Sequence, residues 1–85
     1  MRTHELKCWP QYYERLVSGE KRFEVRKNDR DYQLGDTLKM IPFDPETGEY
    51  VPVDARQIVL AFRISYIMHG GSFGLDPDYC IMSLQ

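Results

Sequence analysis

One stretch of this chain carries a helical period, and every other patterned stretch alternates. In "WPQYYERLVSG" the apolar residues Trp9, Tyr12, Tyr13, Leu16 and Val17 recur at i, i+3, i+4, i+7 and i+8, the spacing of a single buried helical stripe. Pro10 suits the first helical turn, where its missing N–H costs nothing, and Gly19 suits the C-terminal cap. The spacing predicts a helix over 9–18. That spacing takes Trp9, Tyr12 and Tyr13 into a core, although the same rings have the chemistry to stack on bases.

Alternation fills the rest. "THELKC" (3–8) predicts a short strand, and Lys21 to Lys27 predicts another, with Lys21, Phe23, Val25 and Lys27 on one face and Arg22, Glu24 and Arg26 on the other. "NDRDYQLGD" is rich in turn residues, "LKMIPF" predicts a strand, and "DPETGE" a hairpin loop. "YVPVDA" reads as a short edge strand, because Pro52 cannot donate to a central ladder. "RQIVLAFRISYIMH" is the longest strand candidate, with Ile58, Leu60, Phe62, Ile64, Tyr66 and Met68 on one face. "GGSFGLDPD" is a loop and "YCIMSLQ" a last strand. Strand, helix, then about five strands predicts a mostly β, α+β fold: a small open β-barrel of about six strands, mostly antiparallel, with an amphipathic helix after the first strand. At 85 residues the chain is read as a single domain, 1–85.

Charge narrows the function. The formal net charge is −2, against a strongly basic, non-specific nucleic-acid binder. Residues 1–36 nevertheless hold eight Lys/Arg against seven Asp/Glu, and residues 37–85 three against six, so any basic patch comes from the first part. Ten of the nineteen residues in 18–36, "SGEKRFEVRKNDRDYQLGD", are charged, five of each sign. Lys and Arg there offer a ligand a point charge and a planar fork, and Glu24 can orient Arg26 or accept from an amine; the alternative is a solvated face of ion pairs. "RKNDRD" is either a well-made turn or an Arg cluster held by its acids for a phosphate or base edge. Such mixed charges suit a neutral or singly charged polar ligand, a nucleoside or an RNA end, better than a long phosphate track.

The remaining features are sparse. "HGGSFG" has the composition of a backbone nest for an anion, with His69 beside it, and equally of a tight loop. His4 and His69 are the only histidines and Cys8 and Cys80 the only cysteines, without metal-ligand spacing, so no metal and no cofactor is expected. Two cysteines make no disulfide scaffold, no signal-peptide pattern is read, and no apolar run is long enough for a membrane span; a cytoplasmic protein with reduced thiols and no membrane partner is expected. Tyr32, in a polar loop, is the preferred stacking candidate.

The run "HELKCWPQYYERLVSGEKRFEVRKNDRDYQLGD" resembles the ASCH-domain family of the PUA-like β-barrel superfamily, most of all its small single-domain bacterial and phage members. Gly19, Lys21, Glu24 and Arg26 match the pattern G-x-K-x-x-E-x-R, Gly35 and Asp36 match the "GD" that opens the next strand, and "YIMHGGSFGL" is similar to a later loop. The resemblance implies a PUA-like barrel with a cleft between helix and sheet, and RNA binding as the usual role. Some members are coactivator-type protein-interaction modules. A few are amidohydrolases that remove the acetyl group from acetylated cytidine, using a Lys and a Thr on this strand and a later Glu. Here Lys21 stands for the Lys, Glu24 occupies the Thr position, and no Glu follows Glu49. The expected function is therefore binding of RNA, a nucleotide or a nucleoside, with Lys7, Lys21, Glu24, Arg26 and Arg30 as polar lining and Tyr32 and His69 beside them. The alternatives are an amidohydrolase with Lys21 as its catalytic residue, and a protein-interaction module.

Overall fold

The computed structural model describes residues 1–52 and 60–85. Its elements are β1 (Thr3–Cys8), α1 (Pro10–Ser18), β2 (Phe23–Lys27), β3 (Thr37–Asp44), β4 (Glu49–Tyr50), β5 (Ala61–His69) and β6 (Tyr79–Leu84). They form one six-stranded mixed sheet in the order β1-β3-β5-β6-β2, with β4 added to the end of β3. The pairing of β1 with β3 is parallel, with Thr3 beside Thr37 and Cys8 beside Pro42; the other four pairings are antiparallel. A parallel neighbour needs a long crossover, and α1, β2 and the 28–36 loop together provide it.

Alternation places the core. His4, Leu6 and Cys8 of β1, Leu38 and Met40 of β3, and Cys80, Met82 and Leu84 of β6 all turn inward and are buried. Leu16 of α1 is buried among them and Tyr13 packs against the cluster. Gly19 ends the helix at φ +88°, a left-handed cap that a glycine adopts without strain, and its N–H donates to Leu16 O at 3.3 Å. The mostly β class and, among the described residues, the single helix after the first strand and the six strands agree with the expectation from sequence; the sheet formed by those residues does not close through backbone pairing.

Three expectations are corrected in detail. The helical stripe splits: Leu16 and Tyr13 pack inward, whereas Trp9 and Tyr12 remain 46% exposed and Val17 is exposed. The alternation of β5 breaks at a bulge between Ile64 and Tyr66, one extra residue that reverses the facing of the residues after it. Phe62 and Ile64 are core residues as expected, but Tyr66 is exposed and Ile67 packs on the core in its place. Of the edge strand expected over 50–55, Tyr50 lies in β4 and residues 51–52 are in no strand, and β5 begins at Ala61; the parts of both expected strands that fall in 53–59, Ile58 included, lie outside the described residues.

The loop before β3 is fixed by a buried carboxylate. Asp36 accepts from the backbone N–H of Arg2 and of Gln33, both at 3.1 Å, and from His4 Nε2 at 2.9 Å. An ionised carboxylate can only accept, so His4 carries its proton on Nε2. The His4 bond above all, with the two backbone donors, outweighs burial and holds the Asp36 carboxyl down at about 2. The long β5–β6 loop rests on Gly70, where a Cβ would run into the backbone carbonyl oxygen of Asp76.

Candidate functional site

The sheet leaves β1 and β2 as its two edges, and neither has a second strand partner among the described residues. Side chains bridge the gap instead. Arg26 Nη2 on β2 donates to the carbonyl oxygen of Lys7 on β1 at 2.7 Å, and Arg30 Nη1, just past β2, donates to that of Glu5 at 2.8 Å. From the β1 side Arg2 Nη2 donates to Arg30 O and Asp31 O at 2.7 and 2.6 Å. Unpaired carbonyls on an edge invite pairing with another chain, and the arginines occupy them.

Beside this seam, where β1 runs into α1, lies a cleft of about 650 Å³. Its walls come from the end of β1 (Lys7, Cys8), the N-cap Trp9 with Tyr12 and Arg15 of α1, Lys21 and the length of β2, and Tyr79 of β6. Tyr79 arrives through pairing, being the register partner of Lys27.

The facing of β2 is the feature that makes the site. Phe23 and Val25 are 48% and 44% exposed, whereas Glu24 is 5% exposed and stands opposite Met82 on the inner face. A buried carboxylate is costly unless each oxygen is satisfied. Here Lys21 Nζ donates to Glu24 Oε1 at 2.7 Å and Arg26 Nε to Oε2 at 2.6 Å. Lys21 Nζ also donates to Phe23 O at 2.7 Å and lies 4.9 Å from the Phe23 ring centroid. Glu24 is thus a fixed anchor for two cations whose side chains keep 16% and 26% exposure. Cys8, buried below them, has its thiol pushed up to about 11, by burial first and by the Glu24 charge second, against the pull of Lys21 and Arg26. A thiol that reluctant to ionise is packing, not a nucleophile.

The rest of the wall is aromatic and cationic. Trp9, the N-cap of α1, and Tyr12 in its first turn stack at 5.9 Å with 20° between their planes. Lys7, Arg15, Lys21, Arg26 and Lys27 give the lining five cations against the single carboxylate of Glu24. Lys7 leans over the Phe43 ring at 4.6 Å, and Arg15 forms an exposed pair with Glu20, which contributes little to stability.

Lys7, Lys21, Glu24 and Arg26, all named from the sequence, are brought to this cleft. Three others are not. Arg30 is engaged by the Glu5 carbonyl, so the "RKNDRD" run serves as much to hold the two sheet edges together as to make a turn. Tyr32 is 3% exposed, in the core, its ring edge-on to His4 at 4.8 Å; it is closed to a stacking ligand because the loop it stands in folds back over the sheet. His69 is exposed at the end of β5 and away from the cleft wall. In the neighbouring loop the N–H groups of Gly70 and Gly71 donate to Tyr79 O and Leu75 O, so internal bonds take up two of the donors of the nest read from "HGGSFG". The sequence reading missed Arg15, Lys27, Phe23 and Tyr79 as lining, and assigned Trp9 and Tyr12 to the core. Their i, i+3 spacing was the available signal for a stacked pair; Tyr79 had none, since only strand register brings it there.

Among the described residues no group of His, Cys, Asp and Glu is disposed to hold a metal ion, and no helix is long and apolar enough to cross a membrane. A family model described as a domain of unknown function, DUF3850, matches residues 3–84. An uncharacterized 12.9 kDa protein in the GpA 3′ region of Escherichia phage P2 is 46% identical over 37 residues, a stretch covering 44% of this chain and 34% of that protein.

Proposed function

This chain belongs to the DUF3850 family, and we propose that it is an ASCH-type, PUA-like domain that binds single-stranded RNA or a nucleotide-like ligand in the cleft between α1 and β2. The observation that carries the reading is the composition of that cleft. A chain of net charge −2 places five Lys/Arg around one opening, next to a stacked Trp–Tyr pair. Cations with aromatic faces are what unstacked bases on a phosphate backbone require. The few cations cannot follow a long strand. The buried reduced thiols Cys8 and Cys80 fit a cytoplasmic setting.

The geometry favours binding over hydrolysis. Lys21 Nζ already donates to Glu24 and to Phe23 O, so the amine is tied to a carboxylate and a carbonyl and is not turned free toward a reacting group. Trp9 is the sole tryptophan and stands on the cleft wall, so its fluorescence reports occupancy. Titration with single-stranded oligoribonucleotides and with mononucleotides at low salt is expected to change Trp9 emission saturably. A flat response to both, with no binding by calorimetry, sinks the reading.

A further inference from the structure

The hydrogen-bond inventory of the cleft is one-sided. Nε and one Nη2 hydrogen of Arg26 are committed, to Glu24 and to Lys7 O; its Nη1 and its second Nη2 hydrogen have no acceptor among the described residues. Lys21 likewise has one N–H left after Glu24 and Phe23 O. Both Glu24 oxygens are engaged and the residue is buried, so the wall offers donors and withholds its acceptor. Around these donors stand flat apolar faces: Phe23 within cation–π range of Lys21, and the Trp9–Tyr12 stack.

We infer that the cleft reads one unpaired guanine, taking its O6/N7 edge on Arg26 and Lys21; this rests on the nucleotide-binding reading above. Guanine presents two adjacent acceptors on that edge, which an Arg fork or a Lys satisfies directly. Adenine and cytosine present an exocyclic amine at the same place, a donor facing donors. A phosphate is better served elsewhere. Lys7 and Lys27 are exposed on the same wall and have no carboxylate partner among the described residues, whereas Lys21 and Arg26 share Glu24 and together leave a single positive charge. The division of labour is thus base edge on the anchored pair and phosphate on the freer lysines.

The test uses the whole chain and 5′-monophosphates, so that the phosphate is common to all. GMP and IMP, which share the O6/N7 edge, are expected to bind alike and about tenfold tighter than AMP or CMP. The 7-deaza analogue of GMP, lacking the N7 acceptor, falls toward AMP. Arg26→Lys, which keeps the charge and loses the fork, compresses the GMP-to-AMP ratio; the analogue series on the unaltered protein decides the same point if that variant does not fold. Equal affinity for all bases, with inorganic phosphate competing, overturns this inference and leaves nucleotide binding standing. So does tight GMP with weak IMP, which would place the 2-amino group, not the O6/N7 edge, against the wall. Failure of every nucleotide and of single-stranded RNA to bind overturns the functional reading itself and this inference with it.

Discussion

Arg26 on β2 donates to the backbone carbonyl of Lys7 on β1, 2.7 Å across the gap that separates the two free edges of the sheet. The same guanidinium holds Glu24 through Nε. One side chain therefore joins the seam between the two sheet edges to the ion cluster that equips the cleft, and a change there is felt in both.

Arg26→Gln is expected to lower stability by about 1–3 kcal/mol, because one oxygen of a buried carboxylate loses its partner and the Lys7 carbonyl loses its donor. Arg30→Gln, which frees an exposed carbonyl only, is expected to cost less than about 1 kcal/mol. Urea unfolding followed by Trp9 fluorescence measures both. Equal costs would remove the distinction between seam and anchor.

Glu24→Gln tests the anchor from the other side. An amide can accept from one cation but must turn a donor toward the second, leaving like groups face to face at the floor of the cleft. The variant is expected to be less stable than the parent and to lose ligand affinity, although a negative charge has been removed from a site proposed to take anionic ligands. Tighter binding by a variant of undiminished stability would show that Glu24 only opposes the ligand's charge.

Acid stability follows from Asp36. Its carboxyl ionises at about 2 in the folded chain against 3.8 unfolded, so the folded state is favoured by ionisation. The contribution, about 2 kcal/mol, is fully present above pH 4–5 and is lost as pH falls through 3.8 toward about 2. Unfolding midpoints of the parent and of Asp36→Asn, measured from pH 6 down to pH 2, are expected to converge at the acid end. A gap that stays constant with pH would contradict the assignment.

RNA binding is expected to be weak and only mildly salt-dependent. With about two or three phosphates engaged, log K should fall against log salt with a slope of about −1.5 to −2. Lys7→Ala and Lys27→Ala should each flatten it, while Lys21→Ala weakens binding with less effect on the slope. A steep slope in the parent chain, as given by a long basic track, is incompatible with this cleft.

No useful deacetylation of acetylated cytidine is expected, since Lys21 is held as a donor by Glu24 where the amidohydrolases have Thr. Release of cytidine in a direct assay, abolished by Lys21→Ala, would promote the enzyme reading over the binding one.

Much of this protein was legible along the chain because its signals are local. The helix announced itself by Pro10, its 3.6-residue period and Gly19, and β1, β3 and β6 by strict alternation of buried residues. The group Lys7, Lys21, Glu24 and Arg26 was found because charge density and a motif mark it within one short stretch. Facing, register and closure are not local and were decided by the tertiary structure. Alternation says that Phe23 and Glu24 lie on opposite faces of β2 but not which face is inward; the edge position of the strand and two cations for the carboxylate decided for Glu24. A single extra residue in β5 turned Tyr66 outward, and no residue type marks such a bulge. Tyr32 was read as a stacking residue and Arg30 as cleft lining because their neighbours are polar, but the loop folds back, burying the one in the core and tying the other to the Glu5 carbonyl. Polarity along the chain reports the average environment of a segment. The partner of each side chain is fixed only when β1 and β2, fifteen residues apart from Cys8 to Phe23, are brought edge to edge.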